Sequence, residues 1–356
     1  MQRSRRRRLR RLRGGRLIDP PRIYSERLGG ISDAQFAAAA ARLGLGDFIS
    51  AEPIQHGLFG QNVFLTTTEG AFVFRGAPHW FRGQRDDRYQ FAKEALFIRL
   101  VHDHTSAPAP WPCHYDPASD IFGWPYLVMP RMPGDCLNER TIRKALPPQA
   151  RREVAASIGA TLAELQRLTA PAAGDYDPDT GALAFHSDGY RAHLIRSITG
   201  VAKGAEAAGV MTAADMDWTR ELALGVRDLP ARPVTFVHGD YKLDNMTVLE
   251  RDGAWRVAGL FDFHTARFGD SAFDIVRAAC AYLDTEPALA EVLIEAWRVG
   301  GGDTAGLAPW LPLYVASERS SIWAGFVKRD ARPAWSAGHN FRSWAERYLE
   351  QLAALI

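Results

Sequence analysis

His238-Gly239-Asp240-Tyr241-Lys242-Leu243-Asp244-Asn245, a hairpin-like segment, and then Phe261-Asp262-Phe263 form the stretch on which the reading of this chain turns. Three oxygen-bearing side chains stand at set intervals in it: Asp240, Asn245 five residues later, and Asp262 past the hairpin. That set suits transfer of a phosphoryl group. One carboxylate, Asp240, orients the attacking hydroxyl; the Asn245 amide oxygen and the Asp262 carboxylate are hard donors for magnesium on nucleotide phosphates. Such chemistry asks for placed charge and little covalent work, so a few residues at fixed spacing suffice. Val234 to Val237 reads as a short buried strand delivering the loop, and Gly239 lets the backbone turn tightly beside Asp240. His238 reads as a support of the loop. Lys242 either neutralises charge on the transferred group or is a solvated loop lysine.

Outward from this stretch, Met246 to Glu250 and Ala254 to Leu260 flank Arg251-Asp252-Gly253 and predict a β-hairpin. On the amino-terminal side, Ser32 is the N-cap of an Ala-rich helix through residue 45. Strands are predicted over 51–56, 63–68, 71–75 and 126–129, and a helix opening at Asp86-Asp87 carries Glu94. Pro130 to Gly134 is read as a hinge. Beyond it the pattern turns helical. Val154, Ile158, Leu162 and Leu165 stripe a helix from Pro148 to Leu168, and another is expected over 215–229. From Ser271 onward the chain is mostly helical, with tryptophans spread through it. The expected order is a strand-rich lobe, a connector, and a helix-rich lobe with one catalytic hairpin.

The block from His238 to Asn245, with Phe261-Asp262-Phe263, Gly269-Asp270 and Asp274, resembles the aminoglycoside phosphotransferase and choline kinase family, small-molecule relatives of the protein kinases. The resemblance runs from about Ile54 to the end. It implies an α+β, bilobal, protein-kinase-like fold: residues 1–16 a tail, 17–129 a nucleotide-binding lobe, and 130–356 a catalytic and substrate-binding lobe. It implies ATP or GTP with magnesium between the lobes and an acceptor on the helical lobe. Arg75 stands where the family has a nucleotide-clamping lysine; it keeps the charge but differs in geometry. Glu94 is its expected ion-pair partner. Gly57, Gly60 and Asn62 would lie in the phosphate-covering turn, and Met129 and Arg131 along the adenine edge. Asp270 and Asp274 would brace the catalytic loop. Gln166 stands where the family often has a histidine after the long helix.

The chain has 356 residues, enough for two lobes with their own cores. No apolar run is long enough for a membrane span. Cys113, Cys136 and Cys280 are few and widely spaced, as in a cytoplasmic protein with reduced thiols. The formal charge of +2 hides an asymmetry: nine arginines fall within residues 1–16, and the remainder carries 34 basic against 41 acidic side chains, a net −7. The tail reads as a disordered extension, with a nucleic-acid or anionic-lipid tether as the functional alternative.

The acceptor is the open question at this level. Asp284, Glu286, Glu291, Glu295, Asp303 and Glu318 stand against the single Arg298, which would suit a cationic acceptor if the segment lines the cleft; otherwise these are solvated helix faces. Trp310, Trp323 and Trp344 are read as core, with stacking on a sugar or cation as the alternative. Antibiotic phosphorylation leads, a metabolic kinase for an amino alcohol, sugar or amino acid follows, and a non-catalytic nucleotide-binding regulator is the rival from another class. No Ala-Pro-Glu ending follows Asp262, so a protein substrate is not expected.

Overall fold

The computed structural model describes residues 22–25, 28–54, 62–77, 85–137, 140–187, 189–270, 272–328 and 337–356. The first lobe runs through β1 (Arg22–Ser25), β2 (Gly29–Ile31), α1 (Asp33–Arg42), β3 (Phe48–Pro53), β4 (Asn62–Thr67), β5 (Gly70–Gly76), α2 (Arg85–His104), β6 (His114–Asp116) and β7 (Tyr126–Pro130). Its centre is a five-stranded antiparallel sheet in the order β3-β4-β5-β7-β6. Ser32 caps α1 in a full capping box with Gln35. β3 lies three residues earlier than the alternation suggested, because its pairing with β4 runs from Phe48 opposite Thr67 to Pro53 opposite Val63. Phe36, Phe74, Phe97 and Tyr126 are fully buried in this lobe.

After Pro130 the chain bends into β8 (Asp135–Cys136), α3 (Arg140–Ala145), α4 (Pro148–Leu165), β9 (Gly174–Asp177), β10 (Ala182–Phe185), α5 (Gly189–Ala207), α6 (Ala213–Gly225) and β11 (Thr235–Val237). Then come β12 (Met246–Arg251), β13 (Ala254–Leu260), β14 (Arg267–Gly269), α7 (Ala272–Leu283), α8 (Pro287–Val299), α9 (Leu311–Lys328) and α10 (Phe341–Ala353). β8 pairs with β12, so the connector is pinned to the β12–β13 hairpin. The predicted stripe of α4 is buried at all four positions. Gly159 lets α4 approach α8 so closely that an added Cβ would lie 2.2 Å from the Leu293 carbonyl oxygen.

The helix-rich lobe holds more sheet than the single hairpin expected. β10, β9, β14 and β11 form a second, four-stranded sheet. Its outer hairpin turns at Asp177 to Gly181, where Asp177 accepts from the Asp179 N–H at 3.0 Å and Gly181 takes φ 68°. Trp310, Trp323 and Trp344 are core residues, 3%, 3% and 0% exposed, which removes them from acceptor stacking. Among the described residues no helix is long and apolar enough to cross a membrane.

Candidate active site

β11 is buried and antiparallel to β14, and it delivers His238 into the core with no exposure. Asp274, near the start of α7, accepts the N–H of His238 at 2.6 Å and of Gly239 at 2.9 Å. Asp274 thus shapes the loop, as a brace should. Burial raises its carboxyl to about 6, with the two N–H donors, Arg267 and Arg277 pulling the other way. Burial lowers His238 to about 4, so the imidazole is neutral and accepts from the Asp240 N–H at 3.3 Å. Asp270 performs a similar bracing role: it receives Arg232 at 2.7 Å, Tyr314 Oη at 2.5 Å and the Ala272 N–H at 2.9 Å.

The Asp240 carboxylate sits among donors. Lys242 Nζ lies 2.8 Å from Oδ2, the Asn245 Nδ2 donates to the same oxygen at 2.8 Å and to the Asp240 carbonyl at 2.9 Å, and Arg277 of α7 pairs with Oδ1. Burial would raise this carboxyl, but Arg277 and Lys242 outweigh it and hold it below the usual carboxylate range. It is therefore ionised at neutral pH and presents a charged acceptor to a hydroxyl. Arg277 also binds Glu318 of α9 at 3.1 Å. Sequence reasoning missed Arg277; the signal was there, since Asp274 and Arg277 interrupt an otherwise apolar helix one turn apart.

Asp262 takes the left-handed conformation (φ 74°) at the end of the β13 connection, and the Phe261 N–H donates to the Asn245 carbonyl at 3.1 Å. The two proposed metal ligands are therefore tied by backbone. Asp262 Oδ1 receives Arg75 Nη2 at 3.1 Å and His264 Nδ1 at 2.7 Å. Burial raises the Asp262 carboxyl less than Arg75 and His264 lower it, so it lies far below the usual range. His264 is a second residue the sequence reading passed over. Arg75 Nη1 binds Glu94 Oε1 at 2.6 Å, the ion pair expected across β5 and α2, with Glu94 fully buried. Burial pushes the Glu94 carboxyl up and Arg75 pulls it back. Arg75 thus joins the two lobes through one guanidinium.

Asn62 opens β4 directly opposite Arg75 in register, on the same sheet face. Its Oδ1 is buried without a hydrogen-bond partner among the described residues. Gly57 and Gly60 lie outside the described residues, as does the arginine-rich tail. Met129 is buried in β7 opposite Val73. Arg131 does not join the charge cluster: its N–H is committed to the Ala71 carbonyl at 3.0 Å and its guanidinium lies 4.0 Å from the Phe64 ring.

A magnesium ion fits the donor set. Asn245 spends its Nδ2 on Asp240, which leaves the amide oxygen as an acceptor, and Arg75 and His264 both sit on Oδ1 of Asp262, leaving Oδ2. Two protein oxygens suit an ion that keeps several waters and binds phosphate.

Most carboxylates of the acidic segment are ion-paired. Asp284 receives Arg319 at 2.9 Å, Glu286 receives Arg151 at 2.9 Å, Glu318 is shared by Arg277 and Arg319, Glu295 binds Arg298, and Asp303 lies 3.8 Å from Arg232. A cleft of about 350 Å³ places Asp284 and Glu286 beside Arg143, Lys144 and Arg151. Five of the six acids of this segment thus already face arginines, and Glu291 is exposed on α8.

The sequence profile of the phosphotransferase enzyme family matches residues 50–310. A search of curated proteins gives no match. Among solved structures, a Ralstonia eutropha protein assigned as an aminoglycoside phosphotransferase is 17% identical, with a TM-score of 0.60 over 90% of this chain and 98% of its own. Macrolide 2′-phosphotransferase MphH from Brachybacterium faecium is 19% identical, with a TM-score of 0.54 over 89% and 98%. A thermostable mutant of aminoglycoside phosphotransferase APH(4)-Ia, solved with AMP-PNP and hygromycin B, is 16% identical, with a TM-score of 0.57 over 89% and 97%. At these identities the likeness is one of fold.

Proposed function

Because the chain belongs to the phosphotransferase enzyme family, we propose that it moves the γ-phosphoryl group of ATP or GTP to a hydroxyl of a small molecule. The observation that carries this reading is the Asp240 carboxylate, kept ionised by Arg277, Lys242 and Asn245 in the same loop that offers Asn245 as a metal ligand. Asp240 accepts the hydrogen bond of the acceptor hydroxyl and aligns it for in-line attack. Lys242, 2.8 Å from Asp240, is in reach of the charge that gathers on the transferred group. Arg75, oriented by Glu94 and Asp262, faces the nucleotide phosphates, with Asn62 on the same sheet face. Asn245 and Asp262 would hold magnesium, which supplies positive charge to the phosphate oxygens when bound. Met129 and Arg131 border the adenine, Arg131 through its carbonyl alone. The few, widely spaced thiols Cys113, Cys136 and Cys280 suit a cytoplasmic setting.

For the acceptor, the fold relatives named for aminoglycosides and macrolides support a hydroxylated antibiotic. The paired state of the acidic segment favours the second reading, a metabolic acceptor without strong positive charge. Mass spectrometry on a panel of aminoglycosides, macrolides, amino alcohols, sugars and hydroxy acids with MgATP separates them. One compound is expected to gain one phosphoryl mass. Asp240→Asn is expected to lower kcat by about 10²–10⁴ with nucleotide affinity unchanged. Equal turnover by the variant would remove Asp240 from the mechanism.

A further inference from the structure

One stripe of α2 crosses the boundary between the lobes. Tyr89, Lys93 and Phe97 recur at every fourth position and so lie on one side of the helix. Phe97 is fully buried, its ring centre 6.0 Å from that of Phe236 on β11 and 6.1 Å from that of Phe268 on β14. Tyr89 meets Tyr176 of β9 with ring centres 5.7 Å apart. Between them stands Lys93, 4% exposed, with Nζ 2.7 Å from Oδ1 and 2.9 Å from Oδ2 of Asp175 on β9. Asp175 also accepts the Tyr176 N–H at 2.7 Å and the Tyr89 hydroxyl at 3.3 Å. This side of α2 is therefore seated on the four-stranded sheet of the second lobe, whose strand β11 delivers the catalytic loop.

The next residue faces the other way. Glu94 is turned about 100° around the helix from Lys93. It binds Arg75 of β5 at 2.6 Å, and Arg75 continues to Asp262 at 3.1 Å. Consecutive residues of one helix thus hold on to opposite lobes. Stability does not account for a buried lysine at this point. Apolar residues of similar size in place of a buried ion pair are often neutral or stabilising. Burial also holds the Lys93 ammonium below the ordinary lysine value, with Asp175 pulling it back. What the ion pair adds to the apolar contacts is direction. Burial of apolar surface is non-directional. An ammonium bonded to both oxygens of a carboxylate, itself fixed by a backbone N–H and a tyrosine, sets the height and rotation of the helix.

We propose that Lys93 and Asp175 are positioning residues for the nucleotide. By seating α2 on the second lobe they place Glu94, and through Glu94 they orient the Arg75 guanidinium toward the nucleotide phosphates. The inference rests on the phosphotransferase reading for what Arg75 does. It adds that the β9 strand of the second lobe helps to build the phosphate clamp of the first.

The test is calorimetric titration of MgATP into the full chain, with thermal melting alongside. Asp175→Asn is expected to raise the Kd of MgATP, and the nucleotide KM with it, by about tenfold, with acceptor KM unchanged. The double variant Lys93→Met/Asp175→Leu removes both charges and keeps an apolar contact. It should melt near wild type, since no charge is stranded, and still bind MgATP about tenfold more weakly. This separates positioning from stability. The third arm adds Asp175→Asn to Glu94→Gln. If Asp175 acts through Glu94, the second change should alter Kd by less than about twofold. Wild-type affinity in the folded double variant, or effects of Asp175→Asn and Glu94→Gln that multiply, would overturn the inference and leave the phosphotransferase reading standing. If Asp175→Asn or Glu94→Gln does not fold, the double variant decides. MgATP binding that follows the expected order, with no transfer to any acceptor, would uphold the positioning role and count against phosphotransfer. No binding of MgATP by wild type would remove both.

Discussion

Asp274 shows how one buried carboxylate can govern a loop it does not belong to. It holds the N–H groups of His238 and Gly239, and its charge is what makes those bonds strong. Its carboxyl stands at about 6, while Asp240 lies below the carboxylate range and His238 is near 4. Arg267 and Arg277 face it from β14 and α7. As pH falls through about 6, Asp274 takes a proton, loses its hold on one N–H, and the loop loosens. We expect kcat/KM to fall on the acid side with an apparent pKa near 6. Asp274→Asn should lower the plateau and abolish that limb; a pH–rate profile of both proteins is the check, and an unchanged limb in the variant would assign it elsewhere. The brace itself was legible from the Gly269-Asp270 and Asp274 pattern. Its pKa was not, because folding sets it: burial raises it, against N–H donors and arginines that only the fold brings to it.

At the scale of the element, the turn before Asp240 forms because one residue escapes the usual backbone limits. Gly239 adopts φ +80°, and a Cβ there would meet the Thr265 carbonyl oxygen at 2.7 Å. Gly239→Ala should therefore cost about 1–3 kcal/mol from backbone strain, with the clash added. Urea denaturation would show a lower midpoint at unchanged slope; an unchanged midpoint would mean that β14 and its following turn yield easily. The β12–β13 hairpin was legible because Asp252 and Gly253 are turn residues, and both take positive φ, 54° and 73°. The β9–β10 hairpin was not, although Asp177-Pro178-Asp179-Thr180-Gly181 is a turn signal. Its strands are four residues each and half-exposed, too short for periodicity to register.

Across the whole molecule, two charge chains connect distant parts. Arg75 reaches from β5 to Glu94 on α2 and to Asp262 in the second lobe. Removing it as Arg75→Ala would strand the fully buried Glu94, at a cost of about 3–5 kcal/mol, and raise nucleotide KM. Arg75→Lys should recover much of the stability but less of the phosphate binding, since a lysine cannot bond both carboxylates in a fork. Thermal melting with and without nucleotide separates the two effects; equal melting of Arg75→Ala and wild type would refute the pairing. The second chain runs from Asp240 through Arg277, Glu318, Arg319 and Asp284 to Tyr348 of α10. Arg319 is 3% exposed and Glu318 2%, so Arg319→Ala should destabilise by about 3–5 kcal/mol. By contrast, Arg298→Ala, on an exposed i,i+3 pair, should change the free energy of unfolding by less than about 0.5 kcal/mol, read from denaturant titration. If the two substitutions cost the same, the chain is not what anchors α9 and α10.

Residue type and spacing alone gave the capped first helix and the long α4 stripe and pointed to the reaction class, and the resemblance to a known family pointed to the Arg75–Glu94 pairing. These are local or template-bound: an Asp, an Asn five on and an Asp past a hairpin leave little freedom in what they can do. Tertiary structure decided the rest. It set Arg277 on Asp240, His264 on Asp262, and arginines on the acidic segment that had suggested a cationic acceptor. Charge counted along a chain says how many partners a side chain could have; only folding, which brings residues far apart in sequence within 3 Å in low-dielectric surroundings, decides which partner it gets and how much that is worth.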